Sequence, residues 1–247
     1  MHREGLFINL QIIMNRNSPI WFAHRGALLH TPENTLSSFE TAITMGLPAI
    51  EVDVVSTKDG VVMTSHNFDL ERETDGVGYI HEKTYEEITS VNVLGPKKMS
   101  EKICTLKEVL RFINEDILVN IEIKTRHVFD FSTARHVLSL LKKENRSKNI
   151  IVSSFNPFVL RICKLLNRAI STGWIVQYRE LLPFFFLSGA DSIHPRGDLM
   201  NIEFFQYAKR KKLRINTWTI NTKPAIEWLE RQGVDGTITD RLEFFEK

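Results

Sequence analysis

Glu51 and Asp53 stand two residues apart in Ala49-Ile50-Glu51-Val52-Asp53-Val54. In a strand that spacing turns both carboxylates to one face. An amphipathic antiparallel strand would leave them in water, but Ile50, Val52 and Val54 fill the opposite face in the manner of a parallel sheet, whose two faces are normally covered. Two buried carboxylates need a cation. A third acid, Glu122, shares a face with Lys124 at the end of Val119-Asn120-Ile121-Glu122-Ile123-Lys124. Three carboxylate oxygens, completed by water and a phosphate oxygen, suit one hard divalent cation, Mg2+ or Ca2+, better than zinc. Lys124 would then face the phosphate as a point charge.

Two further segments add nitrogen chemistry. Asp59-Gly60 is a hairpin turn dipeptide that folds 61–65 back on 49–55. A two-residue loop sets His66 opposite Asp53 and a four-residue loop sets it opposite Glu51, so either register brings His66 beside the acids. His24-Arg25-Gly26 closes an earlier strand. A histidine titrates near neutrality, an arginine fork pairs with phosphate oxygens, and a glycine lets backbone approach a ligand.

The elements that must position these residues alternate short β-branched runs with stretches of helical period, the pattern of βαβ units around a mainly parallel sheet. Strands are expected at 20–24, 49–55, 61–65, 118–123, 149–153, 172–177, 191–194, 214–219 and 235–239. The hairpin arm 61–65 is surplus, which leaves eight for a closed (β/α)8 barrel. Helices are expected at 35–45, capped by Asn34 or Thr35, and at 106–114, 131–144, 157–167, 201–211 and 222–232. Residues 67–104 read as a small loop-rich insertion over the C-terminal ends of the strands, where barrel enzymes build their sites.

The chain of 247 residues is 43% hydrophobic, enough for one large core. We divide it into an N-terminal extension, 1–18, and a barrel domain, 19–247. The apolar stretch Gly5 to Met14 is too short to span a bilayer and lacks a cleavage site; a start of synthesis at Met14 would exclude it. A net charge of +2 argues against nucleic-acid binding. Cys104 and Cys163 fit no disulfide framework, in keeping with the cytoplasm. Stable membrane insertion is not expected, and the oligomeric state is not legible.

In this order, Ala23-His24-Arg25-Gly26, Pro32-Glu33-Asn34-Thr35, Glu51-Val52-Asp53-Val54, Thr57-Lys58-Asp59-Gly60 with His66, Asn120-Ile121-Glu122-Ile123-Lys124, Ser154-Phe155, Trp218-Thr219-Ile220-Asn221 and Gly233-Val234-Asp235-Gly236 with Thr239-Asp240 resemble the glycerophosphodiester phosphodiesterase family. The resemblance runs from 23 to 240. It implies hydrolysis of glycerophosphodiesters to sn-glycerol 3-phosphate and an alcohol. It assigns Glu51, Asp53 and Glu122 to a metal, His24 and His66 to acid-base catalysis, and Arg25 and Lys124 to the phosphate. Attack by the glycerol 2-hydroxyl, followed by hydrolysis of a cyclic phosphate, would need one histidine to take a proton and the other to give one. The chain departs from the family pattern at Asn67, where aspartate usually follows the second histidine, and at Cys104, where proline usually precedes Thr105-Leu106. If that aspartate orients the imidazole, Asn67 does so with less charge. The Cys104 change reads as structural.

Trp218 and Phe155 are candidate substrate contacts, each equally readable as core. The run 181–187 reads as an apolar helix face begun by Pro183 rather than a lipid contact, and Lys209 to Lys212 as a solvated helix end. His194 stays outside the catalytic set. A lysophospholipase D specificity and a non-catalytic phosphate-ester binding module are the alternatives, the first favoured by an exposed apolar groove beside the metal and the second by a missing ligand or histidine.

Overall fold

In a computed structural model that describes residues 19–245, eight parallel strands close into a barrel. They are β1 (Ile20–Ala23), β2 (Ala49–Ser56), β6 (Leu118–Ile123), β7 (Ile150–Ser154), β8 (Ser171–Val176), β9 (Ser192–Pro195), β10 (Arg214–Thr217) and β11 (Gly236–Thr239). Closure comes from β1, which pairs with β11 on one side and β2 on the other. The antiparallel arm is β3 (Val62–Thr64), and the hairpin of β4 (Asn92–Leu94) and β5 (Ser100–Lys102) was not anticipated. The six expected helices are present as Leu36–Thr44, Leu106–Phe112, Ser132–Lys143, Pro157–Leu166, Ile202–Lys211 and Lys223–Gln232. The fold is a TIM barrel. Residues 1–18 and the start at Met14 lie outside the described residues.

Local chemistry explains the helix starts. Thr35, not Asn34, caps the first helix by accepting from the Ser38 amide. Thr105 and Glu108 form a reciprocal capping box, and Asn156 and Asn201 cap the helices after β7 and β9. The inward face of the barrel is graded. Ile20, Phe22, Ala49, Leu118, Ile151 and Ile238 plug its floor, each buried aliphatic side chain contributing about 1.5–3 kcal/mol. On the same inward faces, one or two pleats further along, stand Glu51, Asn120, Ser153, His194 and Asn216, and above them His24, Asp53 and Glu122.

Segment 67–104 is more than loop. Leu70, Ile80, Ile88, Val91, Val93 and Ile103 pack with Val55 and Met63 into a small core of their own. Cys104, at the end of the segment, is buried in the main core instead, its sulfur 3.1 Å from Thr64 Oγ1. Run 181–187 also differs from expectation. Pro183 falls inside a 3-10 turn, Arg179–Phe184, followed by the four-residue helix Phe185–Ser188. Leu182 is buried and Phe185 packs on Trp174, whereas Phe184 and Phe186 are exposed.

The hairpin register corrects the expected one. Val54 pairs with Thr64 and Ser56 with Val62, and the Thr57 amide donates to the Val61 carbonyl at 2.9 Å. The loop is therefore the three residues Lys58 to Gly60, closed by Gly60 at φ +84° and by Thr57 Oγ1, which donates to Asp59 Oδ1 at 2.6 Å. An odd loop inverts the parity, so a continued strand would set His66 opposite Val52, on the face away from the acids. His66 reaches the site because β3 stops at Thr64 and the chain bends after Ser65, whose amide still donates to the Asp53 carbonyl at 3.1 Å.

Packing inside the barrel is tight at Gly173, where an added Cβ would lie 2.1 Å from His194 Nε2. Gly173→Ala is expected to cost about 1–3 kcal/mol in urea unfolding. In a His194→Ala background the same change should cost less than about 0.5 kcal/mol, because the coupled neighbour is gone.

Candidate active site

Asp53 sits directly beside Glu122 on the neighbouring strand, and Glu51 beside Asn120. Carboxylate oxygens of Glu51, Asp53 and Glu122 all lie within 4.8 Å of one another, a group able to hold a metal ion. Glu51 and Asp53 are each only 1% exposed. Glu51 Oε2 accepts from the Arg25 amide at 3.1 Å, while buried Oε1 has no partner. Burial, then repulsion from Asp53 and Glu122, raises the Glu51 carboxyl well above its ordinary range. Burial also raises Glu122, against the Lys124 ammonium. Asp53 goes the other way: burial would raise it, but Lys124 and Arg25 outweigh that and hold it well below the carboxylate range. A hard cation fits this donor set, because it would meet the orphaned Glu51 oxygen and offset the repulsion.

Positive charge is built in around the triad. Lys124 Nζ lies 2.9 Å from Asp53 Oδ1 and also contacts Glu122 Oε1. Arg25 donates through Nη1 to Glu33 at 3.0 and 3.2 Å, with Nε 3.2 Å from Asp53 Oδ2. Asn34 grips Asp53 twice at 3.1 Å, donating from Nδ2 to Oδ2 and accepting the Asp53 amide on Oδ1. Segment 32–35 thus orders the site: Glu33 fixes Arg25, Asn34 fixes Asp53 and Thr35 starts the helix. Gly26 has a structural reason, different from ligand approach. Its φ is +81° and an added Cβ would lie 2.4 Å from Ser38 Oγ.

His24 and His66 complete the cluster at this end of the barrel, and His66 lies within the field of Asp53, Arg25 and Lys124. His24 Nδ1 meets Asp240 Oδ1 at 2.6 Å. Asp240 is held in turn by Asn221, whose Nδ2 donates to Oδ2 at 2.5 Å and whose Oδ1 accepts the Asp240 amide at 2.9 Å. An Nδ1–H bond to a carboxylate leaves Nε2 of His24 free to exchange a proton. His66 is looser, with Nδ1 4.0 Å from Glu73 Oε1. Burial and then Lys124 push its imidazole down to about 4, with Asp53 opposing. The Asn67 amide donates to Glu73 instead of meeting the ring.

Trp218 and Phe155 meet edge to face, centroids 5.6 Å apart. Trp218 donates to the His194 carbonyl at 2.8 Å and packs on the barrel-floor cluster, so it has a core role beside any substrate contact. Phe155 is 38% exposed. His194 is buried away from the triad's ion pairs, its Nε2 meeting Ser192 Oγ at 3.0 Å and Asn216 Nδ2 at 3.1 Å. Sequence reasoning missed roles for Asn34, Asp240, Asn221 and Glu73. Asp240 had a signal: barrel closure pairs Ala23 with Thr239, so the residue after the last strand must lie beside the residue after the first.

The site is a TIM barrel with three clustered carboxylates, a group able to hold a metal ion, and two histidines at the C-terminal ends of its strands, where barrel enzymes build their sites. Known proteins identify the family. A model of the glycerophosphoryl diester phosphodiesterase family matches residues 24–244, and the chain belongs to that family. A glycerophosphodiester phosphodiesterase of Caldanaerobacter subterraneus is 34% identical over 224 residues, 88% of this chain and 92% of the relative. Among solved structures, an Oleispira antarctica phosphodiesterase in complex with the product sn-glycerol-3-phosphate superposes with a TM-score of 0.83, at 25% identity, over 92% of this chain and 95% of its own. The Thermotoga maritima glycerophosphodiester phosphodiesterase gives 0.76 at 30% identity, over 92% and 96%.

Asp240→Asn should keep the fold but lower kcat by about two to three orders of magnitude with little change in KM, because the amide cannot hold the His24 tautomer. Steady-state kinetics at fixed pH checks this.

Proposed function

We propose that this enzyme hydrolyses glycerophosphodiesters to sn-glycerol 3-phosphate and an alcohol, with one divalent cation, Mg2+ or Ca2+, held by Glu51, Asp53 and Glu122. The carrying observation is the buried acid triad with its unpartnered Glu51 oxygen, set among two histidines and two cationic side chains. When bound, the cation supplies stabilisation of negative charge on the phosphoryl oxygens. Lys124 and Arg25 add fixed positive charge on the same side. One imidazole takes the proton of the attacking hydroxyl and the other protonates the leaving alkoxide, and Asp240 keeps His24 ready for its share. The triad, both histidines and both cations are present together, which disfavours a purely binding module.

One observation favours a second reading, a lysophospholipase D type of specificity. Beyond β6 and β7, on the Glu122 side of the mouth, Val128 and Phe129 are 51% and 73% exposed, and Phe129 stacks near Phe158 at 6.4 Å. Phe155 and Phe158, which follow β7, are 38% and 37% exposed as well, and an acyl chain could lie on such apolar side chains. Both cysteines are buried free thiols, in keeping with a cytoplasmic setting. Among the described residues no helix is long and apolar enough to cross a membrane.

A coupled assay for released glycerol 3-phosphate, run on glycerophosphocholine, glycerophosphoethanolamine and glycerophosphoglycerol, tests the first reading. The wild type is expected to turn over at least one, with His24→Ala and His66→Ala each lower by about two to four orders of magnitude. Near wild-type turnover in either variant would refute its acid-base role. Release confined to lysophospholipids would select the second reading.

A further inference from the structure

Asp240 gives His24 an obvious carboxylate partner, whereas the residue after His66 is Asn67, which has no negative charge to offer. Negative charge nonetheless stands at the equivalent side of the His66 ring. Glu73 Oε1 lies 4.0 Å from His66 Nδ1 and accepts from Asn67 Nδ2. Its backbone is not free to wander. The Glu73 carbonyl accepts from the Leu94 amide at 2.7 Å, and the next residue, Thr74, bridges to Val93 on β4. The small core of the insertion lies behind that hairpin. The side chain is half-buried, and the other charged groups around it are Glu33, Arg25 and Asp69.

We propose that Glu73, delivered by the insertion and held by Asn67, is the positioning residue for His66, doing from seven residues downstream what Asp240 does for His24. The proposal rests on the functional reading above. A carboxylate facing Nδ1 commits the ring proton to that nitrogen and leaves Nε2 for proton transfer. The separation is about 1 Å beyond hydrogen-bond reach, and such bonds are commonly long without substrate and shorten when it binds. Because Asn67 Nδ2 touches the Glu73 carboxylate, an aspartate at 67 would put negative charge within the same small space.

Moving the carboxylate tests this. Glu73→Gln is expected to lower kcat about tenfold to a hundredfold with KM within about twofold. Adding Asn67→Asp to that variant should recover most of the loss. Long-range 1H–15N spectra of the imidazole should report the Nδ1–H tautomer of His66 in the wild type and in the double variant, and its loss in Glu73→Gln. Unchanged kcat and tautomer in Glu73→Gln would overturn the proposal. So would a loss that Asn67→Asp does not recover, since that marks a merely structural role. Should Glu73→Gln fold poorly, the double variant alone decides: near wild-type kcat supports the proposal and a hundredfold deficit refutes it. A wild type without turnover of any glycerophosphodiester would count against the functional reading, and the ring spectra would then judge Glu73 independently.

Discussion

Crowding Glu51, Asp53 and Glu122 within 4.8 Å at the mouth of a barrel sets like charges against one another where water cannot screen them well. Nearly every contact around the site answers that repulsion. Lys124 lies against two of the acids, Arg25 against Asp53 and Glu33, and Asn34 spends both ends of its amide on Asp53. With all four carboxylates ionised, these two cations leave two negative charges over, the charge of one divalent cation. The arrangement therefore suits the cation proposed above better than a purely structural role, since Glu51 keeps an oxygen with no partner.

The strands carry the acids and the floor of the barrel carries the strands. Ile20, Phe22, Ala49, Leu118, Ile151 and Ile238 hold the lower ends together, so the upper ends present fixed groups. Closure does equal service. By pairing β1 with β11 it brings the last strand's Asp240 to the first strand's His24, 216 residues away in sequence. A bond of 2.6 Å between chain ends holds the ring in one orientation, which suits the proton exchange proposed above for His24.

Much of this was legible beforehand, for physical reasons. Period-two and period-3.6 patterns locate the strands and helices, and two-residue spacing places Glu51 with Asp53 and Glu122 with Lys124, because side-chain direction follows backbone period. The route to His66 was not. Turn dipeptides signal a hairpin but not whether its loop has two, three or four residues, and here the third loop residue inverts the parity. His66 is near the acids through a bend, a feature without periodicity. Asn34 was a candidate cap and proved an Asp53 clamp, since both uses need the same side-chain oxygen at the same place in the chain. The β4–β5 hairpin escaped notice because strands of three half-exposed residues carry too little pattern to detect.

Calorimetric titration of Mg2+ or Ca2+ into chelator-stripped protein tests the central claim, that the acid triad is built for one divalent cation. One site per chain is predicted, weakened about a hundredfold or more in Glu51→Gln, whose fold should survive. Absence of binding to the wild type, or equal binding to Glu51→Gln, would contradict the account.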